Sequence, residues 1–302
     1  MSDLIVDDFY TARNLLYLGA FPQALASLAQ LTHLSGALDV EKQSLQCRAH
    51  LGQHNYSLIL DQIPSNSPTP VLLAIRQLAL LKQQGDSDNV PASIVGVIDE
   101  LVADSNNLLD SAFVAVAAQV LVSARKYDDA LKILVLHPKS LECVAMTVVA
   151  YLAINRVDLA QKLIARVRSW AEDAPLAQLA EAWTNLYVGG SKYNEALYIF
   201  EELAQASSVS TVRLLNARAV CKMHLAEYDD AAELLQEALA MASNDPDTLA
   251  NLVVCSNHTG ESLEAKARYM SQLRHAAPDH PFVRDADAKE AEFDRFAAQL
   301  AQ

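Results

Sequence analysis

A four-residue signature recurs along the chain at nearly constant spacing, and it limits the possible folds more than any other feature. An aromatic or aliphatic residue, two mostly polar residues and an alanine follow a polar break. The copies are Tyr127-Asp-Asp-Ala130, Val157-Asp-Leu-Ala160, Tyr193-Asn-Glu-Ala196 and Tyr228-Asp-Asp-Ala231. Ser262-Leu-Glu-Ala265 repeats the form with serine in the first place. First residues of successive copies stand 30, 36, 35 and 34 positions apart. A period of that length marks one supersecondary unit per copy, which cannot bury its apolar face alone and must stack on its neighbours.

The positions around the signature specify helix pairs. In the copy spanning 214–239, Ala219 is small where a first helix meets its neighbour, Ala231 sits at the crossing and Leu235 follows four residues on. Helices approach closely only where Cβ bulk is small. The spacing is that of tetratricopeptide repeats. Phe21-Pro-Gln-Ala24 and Tyr56-Ser-Leu-Ile59, 35 apart, extend the array into a more degenerate first third. "PSNSPTP" (64–70) should end one helix and start another, and "QQGDSDNVPAS" (83–93) reads as a lengthened loop. Val and Ile fall inside 3.6-period runs, so no strand is predicted. Only 8 glycines occur, which suits helix. The predicted fold is all-α: a curled, tetratricopeptide-like solenoid of a dozen or more helices over 1–279. A C-terminal amphipathic helix over 280–302 caps it or docks a partner. Phe282, Phe293, Phe296 and Leu300 are the residues that helix is expected to bury.

One helix stands out. From Cys143 to Ile154 the chain is apolar except for Thr147. The run is 12 residues long, short of the roughly 18 a membrane span needs, and polar residues close it on both sides. It is therefore a first helix of a pair, turning at Asn155-Arg156, with something packed on every side. First helices line the hollow of such arrays, and here Glu142, Ala145, Val149 and Leu152 face it. The next repeat contributes Gln178, Glu181, Asn185 and Val188; the preceding one gives Ala112, Ala115, Gln119 and Val122. So apolar a lining predicts a filled hollow, either by a partner segment or by the curling of the solenoid itself. Candidate partner-binding residues are Ala145, Val149, Leu152, Glu181, Asn185, Val188, Phe282 and Phe293. Arrays that grip a terminal carboxylate need Lys, Arg and Asn on consecutive first helices. Glu142 and Glu181 are the opposite chemistry, and an apolar helix or helical hairpin is the predicted occupant.

Other functions find little support. A net charge of −14 with no Lys/Arg block disfavours nucleic acid and anionic bilayers. Phosphate-binding glycine loops, nucleophile elbows and zincin motifs are missing, so no enzyme, cofactor or metal is predicted. His275 and His280 do not share a helix face, as a ligand pair would need to. Asp128-Asp129 and Asp229-Asp230 open second helices, where carboxylates suit the dipole. Trp170 and Trp183 read as packing residues. Four scattered cysteines, Cys47, Cys143, Cys221 and Cys255, imply a reducing compartment. Acidic residues near the N-terminus, where a secretory leader carries Lys or Arg, imply no export.

Five segments carry a resemblance. "SLECVAMTVVAYLAINRVDLA" (140–160), "TLANLVVCSNHTGES" (248–262), "HPFVRDADAKEAEFDRF" (280–296), "EALYIFEELA" (195–204) and "DDFYTARNLLYLGAFPQAL" (7–25) resemble the coatomer epsilon-subunit family. The likeness runs nearly end to end and is poorest at the 83–93 loop. It implies a structural subunit of the COPI coat, curled around part of the C-terminal domain of the coatomer alpha subunit. It also implies a cytoplasmic location, peripheral on Golgi membranes and COPI vesicles, serving Golgi-to-endoplasmic-reticulum and intra-Golgi transport. The rival readings are another tetratricopeptide scaffold, such as a co-chaperone-like adaptor or a peroxisomal receptor, and an enzyme with an undetected site. The acidic, apolar hollow argues against the scaffold reading.

Overall fold

The computed structural model describes residues 8–85, 90–207 and 209–300. Among them lie 17 α-helices, one short 3-10 turn (Asn107–Leu109) and no strand. Eight pairs follow in order. They are α1 (Tyr10–Leu18) with α2 (Phe21–Gln30), α3 (Ala37–Gly52) with α4 (Tyr56–Gln62), and α5 (Pro70–Gln83) with α6 (Ala92–Ala103). Then come α7 (Ser111–Ser123) with α8 (Tyr127–Leu134), α9 (Leu141–Ala153) with α10 (Val157–Ala171), and α11 (Pro175–Val188) with α12 (Lys192–Ser207). The last pairs are α13 (Val212–His224) with α14 (Tyr228–Met241) and α15 (Pro246–His258) with α16 (Leu263–Ala276), followed by α17 (Pro281–Leu300). The 83–93 loop spans residues 86–89, which lie outside the described residues; its flanks are the end of α5 and the start of α6.

The recurring signature opens second helices. Its first residue begins α2, α4, α8, α10 and α14, and Ser262 caps α16 by accepting from the Ala265 amide. Its alanines are sealed: Ala24, Ala130, Ala160, Ala196 and Ala231 are all 0% exposed. Ala265 is the exception, only half-buried.

Two positions before the signature the chain turns left-handed, at Gly19, His54, Arg125, Asn155, Ala226 and Gly260. Each such turn must reverse the chain within two residues. The bonds from Asn55 N to His50 O (3.0 Å), Lys126 N to Leu121 O (2.8 Å) and Glu227 N to Lys222 O (2.9 Å) close it, satisfying orphan carbonyls of the first helix. An L-residue in this conformation costs about 1–2 kcal/mol, so Arg125 and Ala226 hold strain that glycine would avoid.

The chain divides into two compact units, one ending at Thr211 and the other beginning at Val212. The division falls inside the repeat array. In the first unit the core runs through Ile75, Leu78, Phe113, Leu121, Leu134 and Cys143. Helix α9 is packed on by α7, α8, α10 and α11, which accounts for its apolar sequence. Thr147 is tolerated there because its hydroxyl donates to the Cys143 carbonyl at 2.8 Å. In the second unit Leu235, Leu249, Leu252, Tyr269, Leu273 and Val283 form one cluster.

The last helix departs from expectation. Val283 is its one buried residue, with Phe282 half-buried on the cluster beside it. Phe293, Phe296 and Leu300, expected to cap the array, are 71%, 55% and 89% exposed. Its apolar packing on the cluster ends with its first turn, beyond which Arg274 of α16 reaches Asp287 and Glu290. Trp170 also departs from its packing role and is half-exposed, whereas Trp183 packs against the α9–α11 cluster.

Candidate functional site

The hollow of the first unit is the candidate site, and its most informative residue is Glu142. It sits in the first turn of α9, where a carboxylate suits the helix dipole. Tyr17 of α1 donates its hydroxyl to Glu142 Oε1 at 2.6 Å. The Arg48 guanidinium of α3 stands 2.9 Å from the same oxygen and 3.2 Å from Oε2. Both charged side chains are largely withdrawn from water, with 21% and 16% of their surface accessible for Arg48 and Glu142.

Burial alone would raise the Glu142 pKa, but the Arg48 charge and the Tyr17 hydrogen bond outweigh it and hold the carboxyl below its ordinary value. Burial, followed by the Glu142 carboxylate, pushes the Tyr17 hydroxyl up, so it stays a proton donor. The triad is an ion pair with a hydrogen-bonded third member, linking segments 94 and 125 residues apart in sequence.

Around it, α1 covers the lining. Tyr17 packs against the cluster of Ala145, Val148, Leu152, Ile164, Leu176 and Ala180, and α1 lies against α3 and α11. Behind it, Thr211 donates its hydroxyl to the Leu18 carbonyl at 2.8 Å. Of the two ways to fill the hollow, the curling of the array is the one this unit displays: its first helix returns to its later repeats. Tyr17 and Arg48 were missed from sequence. The available signal was a one-sided isolation of charge: after Arg48 none follows until Asp61, and after Glu142 none until Arg156.

The sequence-predicted residues separate into two groups. Ala145 and Leu152 are buried against α1's side of the cluster. Val149, between them on α9, is half-buried. On α11, Glu181 is bound by Arg168 (Nε to Oε2, 3.0 Å), and Val188 is 39% exposed beside Tyr187 at 59%. Asn185 is buried, and its Nδ2 has no hydrogen-bond partner among the described residues. Phe282 and Phe293 belong to the second unit.

Burial raises the Cys47 and Cys143 thiols to about 11, which keeps them protonated. Asp129 and Asp230 are tied to Lys132 and Lys222 in the first turns of their helices. No group of three or more His, Cys, Asp or Glu suited to a metal occurs among the described residues. None of the described helices is long and apolar enough to cross a membrane.

Comparison with known proteins decides the family. The profile described as "Coatomer epsilon subunit" matches residues 5–301. The chain belongs to the coatomer epsilon-subunit family. It is similar to coatomer subunit epsilon-1 of Arabidopsis thaliana, 34% identical over 98% of each chain. It is 36% identical to epsilon-2 of Oryza sativa subsp. japonica over 96% of each, and 29% identical to the epsilon subunit of Caenorhabditis elegans over 97% and 99%. Family membership makes it a structural subunit of the COPI vesicle coat. Two solved structures share the fold alone. The first is a chain of the APC/C hetero-tetramer Cut9-Hcn1, with TM-score 0.62, 13% identity, and 91% of this chain and 53% of that one covered. The second is a tetratricopeptide repeat protein of Parabacteroides merdae, with TM-score 0.58, 11% identity, and 89% and 96% covered.

Proposed function

We propose that this coat subunit clasps the C-terminal domain of the coatomer alpha subunit with the part of the α9–α11 face that α1 leaves open. In this reading it works on the cytosolic side of Golgi membranes and COPI vesicles, in Golgi-to-endoplasmic-reticulum and intra-Golgi transport. The near full-length family match supports the coat role, and the open C-terminal end of α11, over the buried Asn185, supports the place. Val149, Val188 and Tyr187 supply apolar surface beside it, and Glu181, already neutralised by Arg168, leaves no unpaired charge to desolvate.

The test is the double change Val149→Asp and Val188→Asp, with capture of purified alpha C-terminal domain as readout. Two carboxylates desolvated without a cation cost several kcal/mol each on binding, so capture should fall at least about 100-fold. Gln161→Asp with Ala240→Asp, at exposed sites, controls for added charge. Unchanged affinity in a normally folded groove variant would move the partner elsewhere.

A further inference from the structure

The terminal helix carries an independent observation. Val283 anchors its start on the Leu249–Leu273 cluster, and Arg274 bridges to Asp287 at 2.6 Å and Glu290 at 3.2 Å. From Asp287 to Leu300 every residue is exposed, yet the helix continues. Its last two turns place Phe293, Phe296, Ala297 and Leu300 at i, i+3, i+4 and i+7, on one face. Eleven or so residues of helix are marginal in water without packing, and three large apolar side chains on one exposed face are what a partner would bury.

The charges beside this stripe indicate what covers it. At 100° per residue, Glu292 and Asp285 flank one edge, and Glu290, Asp294 and Asp287 flank the other. The cations nearby are already engaged: Lys289 with Asp285 at 2.5 Å, and Arg295 with Glu292 at 3.8 Å and over the Phe296 ring. The Asp285–Glu292 rim is thus paired off, while the rim of Asp287, Glu290 and Asp294 faces the single Arg274 and keeps a net negative charge. A second copy of the helix would set like charges against each other, on chains each carrying −14. Helices that lie on anionic bilayers carry Lys and Arg on their polar face, the reverse of this pattern. We propose that the distal half of α17 is a docking helix whose Phe293–Phe296–Leu300 stripe seats in an apolar groove rimmed by Lys and Arg on another protein chain.

The test is a photo-crosslinking phenylalanine analogue at position 293 of the full chain, assembled with the remaining coatomer subunits, with crosslinked peptides mapped by mass. The expected result is one dominant crosslink to a different subunit, at apolar residues flanked by two or more Lys or Arg. Phe296→Asp with Leu300→Asp should cut its yield at least about tenfold, and Glu292→Lys with Asp294→Lys about threefold or more. These side chains are exposed, so an unchanged helical signal and melt verify that the variants fold. Crosslinks confined to this chain or to a second copy, capture by anionic lipid vesicles instead, or no crosslink at all would each overturn the proposal. The readout does not depend on the α9–α11 face.

Discussion

Helices α1 and α17 are the first and last of the chain, both amphipathic, and they fare oppositely. Helix α1 and its N-cap Phe9 offer that ring, Ala12, Leu16 and Leu18 to the core, and Tyr17 goes to the Glu142–Arg48 pair. Helix α17 makes its contacts in its first three turns, through Val283 and the Arg274 bridges to Asp287 and Glu290. Both sequences are amphipathic; what differs is whether the chain itself presents a complementary surface. In unit 1 the first helices of later repeats supply one. In unit 2 the apolar cluster ends near Val283, and the rest of α17 lies on nothing in its own unit.

The comparison can be broken most severely at Glu142. Glu142→Ala strands the Arg48 charge in a largely dry site and should destabilise the protein by about 3–5 kcal/mol, read as a denaturant midpoint shift. The same group sets an acid limit. Its folded pKa lies below its ordinary value of 4.5, so its contribution is complete above that value and is lost as pH falls through the folded pKa. Glu142→Gln should therefore flatten the pH dependence of stability in the acid range. Next come Ala130→Phe and Ala231→Phe, one in each unit, at fully buried crossings. Each should cost about 1–3 kcal/mol in melting experiments, because the array has no spare volume there. Ala226→Gly relieves a left-handed backbone and should stabilise by about 0.5–1 kcal/mol. Smallest of all, Phe293→Ser with Phe296→Ser should change the stability of the free chain by less than about 0.5 kcal/mol. Sharing the Phe→Ser chemistry, Phe113→Ser in the sealed core of unit 1 should instead cost several kcal/mol.

Local features were legible in the sequence. The signature alanine, the polar break before it and the acidic first turns each act within one helix pair, and they register at the residues that carry them. What could not be read was where a face finds its cover. Phe293 and Phe296 have the spacing of buried residues, and nothing in that spacing says that the cluster stops at Val283. The apolar lining of α9 required a cover, but only the returned position of α1 identifies it, and that depends on curvature summed over several repeats. Tyr17 and Arg48 escaped notice for the same reason, since their partner lies 125 and 94 residues away. The family likeness was legible because segments such as 140–160 and 280–296 exceed what generic repeat positions require.

Helix α1 covers the α9 lining from within the chain, whereas the distal half of α17 is exposed. Amide hydrogen exchange on the free, full-length protein tests that contrast directly. The amides of 13–18 should exchange slowly, in the range of core helix α7, while those of 290–300 should exchange at nearly unprotected rates. Equal, rapid exchange in both segments would contradict it, because α1 would then be as loosely held as α17 and the hollow would stand open.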